Sequence, residues 1–292
     1  MKAYIQLLRP LQWIKNGFVF APVFFSNNLL KWGYLWPTIV VFFAFCLISS
    51  SIYCFNDLRD AEADRQHPKK RLRPIASGAV GTRAGYTLMG LCTILAFSVL
   101  SLADSPNAHY LYGILAAYWL MNIAYCIRLK QTAILDVTII AVGFVMRVLI
   151  GGMATDIRIS AWLVMMTFLL TLFLALAKRN DDYRIYEQTG TKPRTSITGY
   201  NKTFINEATA IIASVTMVCY IMYTMSPELV QRWGTPYVYL TSGWVLAGLL
   251  RYLQNMIVYG LSGSPTKSMV KDRFIQLCIL GWLLSFFAII YL

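Results

Sequence analysis

The sequence predicts an all-α, polytopic membrane protein, a bundle of about nine transmembrane helices forming one domain over residues 1–292. Three observations predict it. Hydrophobic residues make up 58% of the 292-residue chain and charged residues only 13%, whereas soluble domains carry about 45–50% and about 25%. The apolar residues fall in runs close to the roughly 20 that a helix needs to cross the hydrocarbon core. Between those runs, Lys and Arg gather in every second connection. Such a chain is not expected to be a soluble enzyme, a disordered segment or a collagen-like repeat.

The runs lie at roughly 11–29, 36–56, 83–103, 108–127, 134–153, 160–178, 207–226, 236–260 and 274–291. The first is the weakest, because Arg9, Pro10, Gln12, Lys15 and Asn16 make its entry polar and Pro22 interrupts it. A secretory leader is not expected, because Arg9, Pro10, Lys15 and Asn16 interrupt the run and no small-residue cleavage site follows. The second runs on through Asn56 to Asp64 without Gly or Pro, so its helix is expected to continue past the membrane edge. The fourth ends in Asn122, Tyr125, Arg128 and Lys130; the fifth carries Asp136, Gly143 and Arg147. The sixth ends at Lys178-Arg179-Asn180-Asp181-Asp182, and the eighth carries Arg251, Gln254 and Asn255. No inserted domain, long linker or internal repeat is expected.

Segments 1–15, 57–83, 128–133, 178–205 and 262–273 hold 21 of the 26 Lys and Arg. By the positive-inside rule they are expected to face the cytoplasm with the N-terminus of a multi-pass membrane protein. The net charge of +13 also admits an anionic ligand, and the two readings hold together; nucleic acid is not expected. Six scattered Cys and only His67 and His109, with no CxxC or HExxH, argue against zinc and against a disulfide framework. Segments 57–83 and 178–205 contain carboxylates as well as bases. A topology signal needs no carboxylates, so mixed charge at one face points to a site.

On a continuous helix Asp57, Asp60 and Asp64 fall within about 60° of arc. Like charges on one face repel, and a divalent cation offsets this; hard oxygen ligands suit Mg²⁺, which commonly bridges to phosphates. A solvated helix end paired with Arg is the plainer reading. The following run Lys69-Lys70-Arg71-Leu72-Arg73, closed by Pro74, Ser77 and Gly78, reads as a topology anchor or as a phosphate-binding loop. Gln12, Lys15 and Asn16 share a face at i, i+3, i+4; Lys15 either snorkels or reaches the site. Lys178 and Asp182 can pair at i, i+4, or Asp181 and Asp182 can add a metal or ribose contact. Asp136, Gly143 and Arg147 lie within about 40° on one helix face. A charge as deep as Arg147 marks a cavity by default, against an internal ion pair as the alternative.

The pattern Asn56-Asp57-x-x-Asp60-x-x-x-Asp64 in such a chain resembles the first aspartate motif of the UbiA superfamily of intramembrane prenyltransferases. Arg9-Pro10-x-Gln12-Trp13-x-Lys15-Asn16 and Asp64-Arg65-x-His67-Pro68-x-Lys70-Arg71-x-Arg73-Pro74-Ile75-Ala76-Ser77-Gly78 are similar to its phosphoribosyltransferase branch. So are Gly143-Phe144-Val145-x-Arg147, Lys178-Arg179, and Pro265-Thr266 with Asp272-Arg273. The superfamily's second DxxxD motif is absent; Lys178-Arg179-x-x-Asp182 resembles the branch's Lys-Arg-x-x-Glu instead.

The resemblance implies a UbiA-like bundle with a cytoplasm-facing cavity. It implies transfer of 5-phosphoribose from phosphoribosyl pyrophosphate to a membrane polyprenyl (decaprenyl-type) phosphate, releasing pyrophosphate, for cell-envelope glycan precursors. Asp57, Asp60 and Asp64 would hold Mg²⁺ and, with Lys15, form the catalytic group. Asn16, Asn56, Lys70, Arg71, Arg73, Ser77, Tyr125 and Lys130 would contact substrate, as would Asp136, Arg147, Lys178, Arg179 and Asp182. Two competing readings are a UbiA-type transfer of a prenyl group to an aromatic acceptor, and a cation-dependent transporter. The latter often shows inverted repeats, which this sequence lacks.

Overall fold

The computed structural model describes residues 2–66, 70–190, 195–260 and 271–291. His67, Pro68 and Lys69 of the basic run, and Pro265 and Thr266, lie outside the described residues. Every regular element described is helical. The chain divides into two compact units: Met1–Leu129 with Gly143–Ile159, and Lys130–Val142 with Ser160–Leu292.

In the first unit α1 (Lys2–Leu8) leads into a 3-10 segment, Pro10–Phe20, and the short α2 (Ala21–Phe25). Then come α3 (Trp32–Arg59), α4 (Ala61–Gln66), α5 (Thr82–Leu100), α6 (Ala108–Ile127) and the later turns of α7 (Leu135–Ala154). α3 is the axis of this unit. Val41, Ala44, Phe45 and Ile48 on it are fully buried and share a core with Val19, Leu111, Leu115 and Ile150. Lipid tails are as apolar as leucine, so packing and hydrogen bonds, rather than escape from water, hold such helices together. α3 supplies both: the buried Ser49, Ser50 and Ser51 let neighbours approach, and the hydroxyls of Ser50 and Ser51 tie them. Ser51 bonds Thr93 of α5 at 2.7 Å, Trp13 donates to Ser50 at 3.0 Å, and Ser50 donates to the Leu8 carbonyl at 2.8 Å. Gly151 of α7 is required by a close approach: a Cβ there would stand 2.1 Å from the Val19 carbonyl oxygen.

The second unit contains the opening turns of α7, then α8 (Ala161–Thr189), α9 (Lys202–Thr224), α10 (Pro227–Trp233), α11 (Ser242–Ile257) and α12 (Arg273–Tyr291). Ser160 caps α8 by accepting from the Leu163 N–H at 3.2 Å, and Gly190 ends it with a left-handed φ of 66°. Asn201 caps α9 and Asp272 caps α12 through the Phe274 and Ile275 N–H groups. Phe173, Ala177, Leu249, Tyr252, Met256 and Ile275 form the core.

Seven helices among the described residues are long and apolar enough to span a membrane, against the nine expected. The two differences have local causes. Residues 11–29 form the 3-10 segment and α2, where Pro10 and Pro22 remove backbone donors. Residues 236–260 enter through a 3-10 turn, Tyr237–Thr241, which leaves α11 only 16 residues. The sixth run, expected to end near 178, continues as helix to Thr189; hydropathy stops at the membrane edge and backbone hydrogen bonding does not. The expected continuous helix through Asn56–Asp64 is instead broken at Asp60, where ψ is 1° between α3 and α4.

Candidate active site

The break at Asp60 shapes the acidic motif. Asp57 lies in the last turn of α3 and is 1% exposed; Asp64 lies in α4 and is 3% exposed. Both face Arg73, whose Nη1 donates to Asp64 Oδ2 at 2.7 Å and reaches Asp57 Oδ1 at 3.3 Å. Arg9 meets the same Asp57 Oδ1 from the other side at 2.5 Å. Local structure puts both arginines there. Arg9 stands between α1 and Pro10 with a left-handed φ of 52°, and its guanidinium lies 5.0 Å over the Tyr53 ring. Arg73 follows the short 3-10 turn Lys70–Leu72, and the loop behind it is pinned by Ile75 and Val80, which pack with Leu7 and Cys54.

Two of the three expected carboxylates are thus brought together. Among the described residues no three of His, Cys, Asp and Glu converge as a metal-binding group. Asp60, half-buried at the break, adds negative charge within reach of Asp57. Asp57 Oδ2 is buried without a hydrogen-bond partner. An orphaned carboxylate oxygen inside protein is costly, and with Asp64 beside it the donor set is of the hard, anionic kind that fits Mg²⁺. Lys70 is half-buried, and Arg71 and Ser77 are exposed on the same loop. The Ser77 hydroxyl donates to the Pro74 carbonyl at 3.3 Å. Asn56 accepts from the Cys126 thiol at 3.5 Å, and Tyr125 packs beside Cys126 at the edge of the α3 core.

A second polar centre of this unit surrounds Arg147, which is 5% exposed. Its Nε donates to Asn16 Oδ1 at 2.8 Å, Nη1 to the Gly143 carbonyl at 2.7 Å and Nη2 to the Tyr118 hydroxyl at 2.8 Å. The rings of Tyr118, Phe144 and Phe45 lie 4.9, 5.1 and 5.3 Å from its guanidinium carbon. All its acceptors are neutral. Lys15, half-buried, lies within electrostatic reach of both Arg147 and Arg9, so a string of cations follows the 3-10 segment. The shared face expected for Gln12, Lys15 and Asn16 is corrected by that segment's three-residue turn. Gln12 and Lys15 stay aligned, whereas Asn16 turns inward to Arg147 and to Cys46.

In the second unit Asp136 and Arg179 are both fully buried and pair at 2.8 Å. Asp136 also accepts from Tyr200 at 2.7 Å and Ser196 at 3.0 Å, and Arg179 reaches Asp182 at 2.5 Å. The grouping of Asp136 with Arg147 on one stripe gives way to this arrangement, because the two side chains find partners in different units. Burial pushes the Tyr200 phenol up, and the bond to Asp136 adds to the rise. Lys178 is half-buried on α8, and Lys130 sits in the 3-10 turn before α7. Arg251 takes the ion-pair reading, meeting Asp272 at 2.9 Å with Gln254 beside it. Burial opposes ionisation of Asp272, but Asn255, the Ile275 N–H and Arg251 together hold its carboxyl below the usual range.

Sequence reasoning passed over Arg9, Tyr118, Ser196 and Tyr200 as site members. Arg9 alone had a signal, a base beside Pro10 at the basic N-terminus. The aromatic and hydroxyl residues look like ordinary span and loop residues.

The profile of the UbiA prenyltransferase family matches residues 19–269. Among curated proteins, the chain is similar to the decaprenyl-phosphate phosphoribosyltransferase of Mycolicibacterium smegmatis. The two are 35% identical over 297 residues, covering 98% of this chain and 92% of the relative. It is also similar to the protein of that name from Mycobacterium tuberculosis, at 30% identity over 96% of this chain and 91% of the relative. Among solved structures it superimposes on a UbiA homolog from Archaeoglobus fulgidus bound to GPP and Mg²⁺. There the TM-score is 0.72 at 16% identity, with 99% of this chain and 100% of that one covered.

Proposed function

The chain belongs to the UbiA prenyltransferase family, and from that premise we propose that it is the enzyme that transfers 5-phosphoribose from phosphoribosyl pyrophosphate to a polyprenyl phosphate in the membrane. The observation that carries the reading is full-length similarity to two decaprenyl-phosphate phosphoribosyltransferases. It is joined to a buried acid pair, Asp57 and Asp64, ringed by arginines. In the reaction the bond from ribose C1 to the pyrophosphate oxygen breaks and a bond from C1 to a lipid phosphate oxygen forms. The products are polyprenyl-phosphoryl 5-phosphoribose and pyrophosphate. A phosphate nucleophile is already ionised, so no side chain need remove a proton.

Catalysis then rests on positioning and charge. Asp57 and Asp64, with Asp60 at the turn between them, would hold Mg²⁺, which supplies neutralising charge to the leaving pyrophosphate. Arg73, Arg9, Lys70, Arg71 and Lys15 offer cations for the donor's phosphates, with Asn56 and the Ser77 hydroxyl as neutral contacts. Arg147 has no anionic partner among the described residues and is set on a span, where a charge is costly; it suits the phosphate of the lipid acceptor, oriented by Asn16 and Tyr118. Asp136 and Arg179 are positioning residues that hold the 195–200 loop. The basic connections support a cytoplasmic N-terminus by the positive-inside rule, on the side where a soluble donor is available.

The test is purified protein with donor labelled in the ribose, polyprenyl phosphate and Mg²⁺. Label entering the organic phase with release of pyrophosphate is the expected result. No label in lipid, with consumption of a prenyl diphosphate in the presence of an aromatic acceptor, would move the chain to ring prenylation.

A further inference from the structure

The acid pair already has cations on it, and they belong to the chain. Asp57 Oδ1 is shared by Arg9 and Arg73, and a single nitrogen of Arg73 bridges Asp57 and Asp64. Two carboxylates balance two guanidiniums. Asp60 adds one further negative charge within reach of Asp57, so a divalent cation added to this arrangement would still leave an uncompensated positive charge beside Asp57, which is 1% exposed. In a poorly screened interior that repulsion is severe. Asp57 Oδ2 is buried without a hydrogen-bond partner, whereas Asp57 Oδ1 and Asp64 Oδ2, two oxygens a metal would take, are held by arginines.

The two partners differ in freedom. Asp57 and Asp64 have side chains 1% and 4% exposed, whereas those of Arg9 and Arg73 are 26% and 27% exposed. The carboxylates are fixed, and the guanidiniums stand on long stems at the rim. A guanidinium also fits phosphate as well as it fits carboxylate, through the same planar fork.

We propose that Arg9 and Arg73 are resident counter-ions that change partners when the donor arrives. They leave the carboxylates for the donor's phosphates, and the vacated oxygens take the metal. Bare metal is therefore bound weakly, and metal and donor bind each other's complex more tightly than the protein alone. The first half of this exchange depends only on the geometry; the second rests on the phosphoribosyl-donor reading. By linkage the coupling is reciprocal. A purely structural salt bridge predicts the opposite for an arginine variant, because loss of the bridge would loosen the carboxylates and weaken metal binding.

The experiment is binding of Mn²⁺, a paramagnetic substitute for Mg²⁺, to the full chain in detergent, read from the electron paramagnetic resonance signal of the free ion. Wild type, Arg73→Gln, Arg9→Gln and Asp57→Asn are compared with and without phosphoribosyl pyrophosphate, each after its melting curve shows a folded protein. Without donor, Arg73→Gln and Arg9→Gln should bind Mn²⁺ about tenfold tighter than wild type, and donor should tighten wild type by a similar factor but the variants little. Asp57→Asn should lose the binding in both conditions. Donor-free Mn²⁺ affinity that is unchanged or weaker in both arginine variants overturns the exchange, whatever the donor does. If the variants tighten Mn²⁺ binding but the donor has no effect on wild type, the exchange stands and the donor assignment fails. Either arginine variant suffices if the other does not fold.

Discussion

Each buried charge in this protein is defined by what it meets. Among the described residues Arg147 meets only neutral oxygens and aromatic faces, so it keeps its charge for an anion. Arg147→Ala should raise the apparent KM for polyprenyl phosphate by about tenfold or more, the effect of losing one charge-assisted contact. Donor binding measured without lipid should stay nearly unchanged. Steady-state kinetics against each substrate separately checks this, and lost donor binding with normal lipid dependence would place Arg147 with the donor. Asp136 is the opposite case, since its charge is consumed by Arg179, Tyr200 and Ser196. Asp136→Asn leaves a fully buried guanidinium partly paired and should cost about 3 kcal/mol, read from denaturant unfolding in detergent. Asp182 still holds one end of Arg179, which keeps the loss near the lower end for a broken buried pair.

At the scale of elements, two features carry stability that no single side chain reveals. α7 rests on the backbone of the 3-10 segment at Gly151, where any Cβ would meet the Val19 carbonyl. Gly151→Val should therefore lower stability by about 1–3 kcal/mol or more, as overpacking does. Because the segment also carries Lys15 and Asn16, it should disturb transfer as well; a melting curve and an activity assay on the same sample test both. α12 is fastened at its start by Asp272, which caps it and holds Arg251 and Asn255. Its folded carboxyl is held below the usual range, so its contribution is present above the unfolded value of about 3.9 and is lost as pH falls through the lower folded value. Asp272→Asn should melt at a lower temperature than wild type at neutral pH, and the gap should narrow as the sample is acidified below about pH 4.

For the whole molecule, seven candidate spans among the described residues and family membership make this a multi-pass membrane protein. By the positive-inside rule its basic connections are expected on the cytoplasmic side. With half-buried Cys219 replaced by Ala and the other five cysteines left buried or nearly so, Arg71→Cys should react with an impermeant thiol reagent only in inverted vesicles. Asn107→Cys, in the link before α6, should react in right-side-out cells. The reverse labelling would invert the topology and leave the soluble donor on the wrong side of the membrane.

The sequence by itself determined the helical class, the position of most spans and the face on which the bases gather. It also marked the acidic motif and the depth of Arg147. These are local properties, because span length and hydropathy are properties of consecutive residues and charge sign needs no partner. The tertiary structure decided the pairings. Arg147 meets Asn16 across 131 positions, Asp136 meets Ser196 across 60, and Arg9 meets Asp57 across 48. It also decided that the chain bends at Asp60 and that Asp57 and Asp64 share one guanidinium. Helical periodicity carries only as far as the helix does, and it could not foresee a break in a stretch free of glycine and proline. Which cation lies on which carboxylate depends on how distant segments pack, and no spacing along the chain encodes that.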